Sequence, residues 1–63
     1  MNKAKHLYKI LLAICEARQF GAIDQYCAVL AEASVWDSAR KDGIYDELSA
    51  EITANRNKDS ENL

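Results

Sequence analysis

The chain reads as all-α: two longer helices folded into a hairpin, a shorter third helix and a polar tail. Three observations carry that reading. Apolar residues recur at three- and four-residue steps in three segments. Proline is absent and glycine occurs only at positions 21 and 43, which leaves too few turn residues for a set of β-hairpins. At 63 residues the chain holds a single domain, placed at residues 1–55, with a disordered tail at 56–63.

The first segment runs from about Lys3 to Phe20, with Ala4, Leu7, Tyr8, Leu11, Ile14 and Cys15 at helical spacing. Gly21 marks its end, the position where a helix commonly turns left-handed. The second segment starts near Ala22 and continues to Ala33, or as far as Ala39, with Ile23, Tyr26, Cys27 and Leu30 in the same period. Ser34 and Asp37 have the spacing of an imperfect capping box. Lys41-Asp42-Gly43 is the next break, and Asp42 is suited to cap the third segment. That segment, from about Gly43 to Ala54, sets Ile44, Tyr45, Leu48 and Ile52 on one stripe. Beyond it, the tail has a single apolar residue, Leu63, too little to offset the entropy of ordering.

A chain folded back at Gly21 brings Cys15 across from Cys27, Leu11 near Ala31, and Arg18 near Asp24 as an ion pair. One unbroken helix through Gly21 costs about 1 kcal/mol relative to alanine and stays open as an alternative.

Both long segments carry more apolar surface than a hairpin hides. On a helical wheel, Ala17, Ile10, Ile14, Leu7, Leu11, Ala4, Cys15, Tyr8 and Leu12 sweep over half the circumference of the first. In the second, Trp36, Val29, Ala33, Tyr26, Leu30, Ile23, Cys27 and Ala31 do the same, leaving Glu32, Gln25 and Ala28 as the polar strip. A surface helix needs an apolar stripe only slightly wider than about 100°. A chain this short is also marginal alone and commonly needs disulfides, a metal or oligomerisation. The expectation is a homodimer, packed side by side or intertwined, with Leu7, Tyr8, Leu11, Ile14, Cys15, Ile23, Tyr26, Cys27 and Leu30 forming its core and interface.

The basic start, with Lys3 and Lys5 before Leu7–Cys15, has the order of a signal peptide. Lys9 interrupts the run, and Glu16 and Arg18 come directly after it. A membrane span needs about 20 apolar residues, so a cytoplasmic protein without membrane contact is expected. Two cysteines are too few for a disulfide scaffold.

Little in the chain supports chemistry. His6, Cys15 and Cys27 lack the spacing of a zinc set, and the sole histidine, His6, lies near a fraying end of the chain, so nucleophilic catalysis lacks a held base. Asp37, Asp42, Asp46, Glu47 and Glu51 read as caps and solvated faces, with Asp37 and Lys41 spaced to pair along a helix. No cofactor is called for. Trp36 and Tyr45 serve either as packing where helices meet or as partner contacts, since such residues are enriched at hot spots. Ala17 and Gly21, with Cys27 and Leu30 after them, match a helix-turn-helix in outline. The recognition helix would then hold no Arg or Lys for phosphate, which argues against nucleic acid as a partner. Charge is polarised: residues 1–21 carry +3 and residues 22–55 carry −5 within a net −2. Such polarity steers encounters with partners.

Taken together, the Met1-Asn2-Lys3-Ala4 start, the Leu7–Cys15 helical run, the Ser34-Val35-Trp36-Asp37 junction and the polar tail resemble a small early protein of the exonuclease–excisionase region of lambdoid bacteriophages. The resemblance implies a non-catalytic accessory that contacts a host or phage protein, in the setting of host physiology and the lysis–lysogeny decision. It transfers no site residue. The alternative is a small DNA-binding transcriptional accessory.

Overall fold

Asn2 opens the first helix, its side chain accepting a hydrogen bond from the Lys5 backbone N–H at 3.2 Å. The computed structural model of the chain describes residues 2–61. It contains α1 (Lys3–Gln19), α2 (Gln25–Lys41) and α3 (Tyr45–Glu61). Each spans 17 residues, so the third is not the shorter one. No strand occurs among the described residues.

The ends of α1 and α2 are built alike. At the first, Gly21 donates to the Arg18 carbonyl at 3.1 Å and Ala22 to the Ala17 carbonyl at 2.8 Å. At the second, Gly43 donates to Arg40 at 3.2 Å and Ile44 to Ala39 at 2.9 Å. This pair of bonds satisfies the orphan carbonyls of a helix end and requires a left-handed residue between them. Gly21 and Gly43 supply it, at φ +77° and +71°. The chain therefore breaks at Gly21, and a continuous helix through that position is excluded.

Two cap assignments shift. α2 begins after Asp24, whose carboxylate accepts from the Cys27 N–H at 2.7 Å, so it starts three residues later than Ala22. Asp42 closes α2 as its C-cap rather than opening α3, because the left-handed turn at Gly43 separates it from that helix. Ile44 precedes α3 instead, its carbonyl accepting from Leu48 N–H at 2.9 Å. Asp46 and Glu47 lie in the first turn of α3, where the helix dipole favours acids. The Ser34–Asp37 box is not used; α2 runs straight through it.

α3 continues past residue 55, the expected end of the domain, to Glu61. No glycine or proline occurs after Gly43, and the Asn55 side chain bonds back to the Glu51 carbonyl at 2.8 Å. Within the tail assigned to residues 56–63, Asn62 and Leu63 lie outside the described residues.

α1 packs on both other helices, more extensively on α2, while the α2–α3 contact is the smallest of the three. The core gathers Val35 and Ala39 of α2 and Leu48 of α3. Leu7, Tyr8, Leu11 and Ile14 of α1 pack against it, with Trp36, Ile44 and Ile52. The molecule measures 35 × 28 × 17 Å, thin enough along one axis that every helix keeps a broad solvent face.

Candidate functional site

Helix α2 is apolar on both sides, with the bulk on the outside. Its buried residues are Ala28, Val35 and Ala39. Around a helix at about 100° per residue, Tyr26, Val29, Leu30 and Ala33 fall on the opposite side. Tyr26 is 72% exposed, Leu30 52% and Val29 50%, and Ala33 is exposed as well. The helical wheel puts Ala28 on the polar strip and Tyr26, Val29 and Leu30 in the interior; the structure buries Ala28 and exposes those three, while Trp36 of the same arc does pack on the core. Leu7, Leu11 and Ile14 bring large side chains from α1 into the core, so small side chains on α2 fill what remains.

The nine residues expected at the core or dimer interface thus divide. Leu7, Tyr8, Leu11 and Ile14 are half-buried against the core. Cys15 and Ile23 are half-buried. Tyr26, Cys27 and Leu30 are exposed and do not belong to the core of the single chain. Cys27 is not an interior thiol, because the first turn of α2 points it to solvent; both cysteines are free. Phe20, absent from the candidate set, is 88% exposed in the loop leading to α2. A phenylalanine beside a helix-ending glycine falls outside the periodic stripe, and that misfit was the available signal.

At the hairpin end the expected Arg18–Asp24 ion pair does not form. Arg18 donates to the Gln25 side chain at 3.3 Å, since the Asp24 carboxylate is occupied as the cap of α2. The Cys27 backbone N–H, donating to that carboxylate, is the main reason the Asp24 pKa lies below its usual 3.8. The same carboxylate beside the Cys27 thiol raises the thiol's pKa above its usual 9.0. An exposed thiol in this position is a poor nucleophile, because less of it is thiolate.

Trp36 and Tyr45 meet at the corner between α2 and α3, ring centroids 5.0 Å apart at 49°. The Arg40 guanidinium lies 5.6 Å from the Tyr45 ring centre, within cation–π range. Trp36 packs on the core while Tyr45 stays exposed, so one face of this corner is structural and the other is open to solvent. Asp37 and Lys41 pair at 3.0 Å, one turn apart, as their spacing predicts.

An open groove between the start of α1 and the start of α3 is lined by Asn2, Lys3, Ile44 and Glu47. In a second groove, shared with His6 and Leu7, Lys3 faces Asp42 across 3.9 Å. Among the described residues, no three His, Cys, Asp or Glu side chains come together as a metal site, and no helix is long and apolar enough to cross a membrane. Taken as a recognition helix, α2 holds no Lys or Arg before Arg40, so its first four turns offer no cation to phosphate. No protein-family profile, characterised protein or solved structure matches the chain.

Proposed function

We propose that this is a non-catalytic accessory protein that acts by contact with another protein, and that the outer face of α2 is its contact surface. The observation that carries this reading is the orientation of α2, with Ala28, Val35 and Ala39 inward and Tyr26, Val29 and Leu30 outward. Large apolar side chains clustered on one exposed face mark an interaction surface, whereas single scattered ones do not. The sequence resemblance supplies the setting: an early phage protein in the host cytoplasm, altering host physiology or the lysis–lysogeny decision through a host or phage protein. The polar partners that acid–base or nucleophilic chemistry requires find no counterpart in the α2 face.

Expression in a lysogenic host tests the reading. Wild type should change growth or prophage induction, and Leu30→Asp should abolish the change while the purified variant keeps wild-type helical circular dichroism. Full activity in a folded Leu30→Asp chain would remove α2 as the contact surface.

A further inference from the structure

We draw no further inference here: the strongest candidate, the exposed apolar face of α2 at Tyr26, Val29 and Leu30, is the contact surface already proposed, and nothing in the structure shows what covers it.

Discussion

The Asp24 carboxylate both caps α2, accepting from the Cys27 backbone N–H at 2.7 Å, and sits against the Cys27 thiol. One side chain therefore governs the start of a helix and the reactivity of a cysteine.

Removing that carboxylate should loosen the start of α2. Asp24→Ala is expected to lower Tm by about 5 °C, the usual effect of losing a helix cap in a domain of this size, whereas Asp24→Asn should lose little. The folded carboxylate has a depressed pKa. Its contribution is therefore present above the ordinary carboxylate value and fades as pH falls through the lower folded value. Thermal melts from pH 7 down to pH 2 should show a shallower acid limb for Asp24→Asn than for wild type.

The thiol should respond in the opposite sense. Since Asp24 raises the pKa of Cys27, the exposed thiol carries less thiolate at pH 8 than a free cysteine, and alkylation should be correspondingly slow. Asp24→Asn should speed labelling of Cys27 by iodoacetamide, read by mass spectrometry with peptide mapping. An unchanged rate would show that the carboxylate does not control the thiol.

Leu48 and Leu30 should separate folding from contact. Leu48 is fully buried, and Leu48→Ala is expected to cost about 2–5 kcal/mol, a large share of what so short a chain has to lose. Leu30→Ala, on the exposed side of α2, should change the stability of the isolated chain by less than about 0.5 kcal/mol. Urea titrations at concentrations low enough to keep the chain monomeric measure both.

Gly21 and Gly43 offer a test of backbone conformation without sterics. A Cβ at either position meets nothing within 4 Å, so the penalty comes from the positive φ alone. Each glycine-to-alanine change should cost about 1 kcal/mol, and the two should add, being in separate turns. A neutral result at either glycine would mean that the turn adopts another conformation.

The three helical segments, the breaks at both glycines and the α1 core residues were legible in the sequence because each depends on neighbours a few positions away, whereas the full length of α3 was not. Leu7, Leu11 and Ile14 repeat at helical spacing, and Gly21 and Gly43 come just after the last helical turn. The orientation of α2 was not legible. Its two sides are both apolar, and hydrophobicity alone assigns the larger residues to the interior; only the space left by the α1 side chains decides for Ala28 and Ala39. The role of Asp24 depended equally on context, since Arg18 and the α2 backbone compete for one carboxylate and the nearer N–H prevails.

The inner side of α2, lined by Ala28, Val35 and Ala39, frees its opposite side from any duty in folding. Substitutions at Tyr26, Val29, Leu30 and Ala33 can accumulate without disturbing Ala28, Val35 or Ala39, as long as the helix persists. Binding preference could then drift between lineages at little expense to the scaffold, a form of evolvability that a larger domain commonly obtains from its loops.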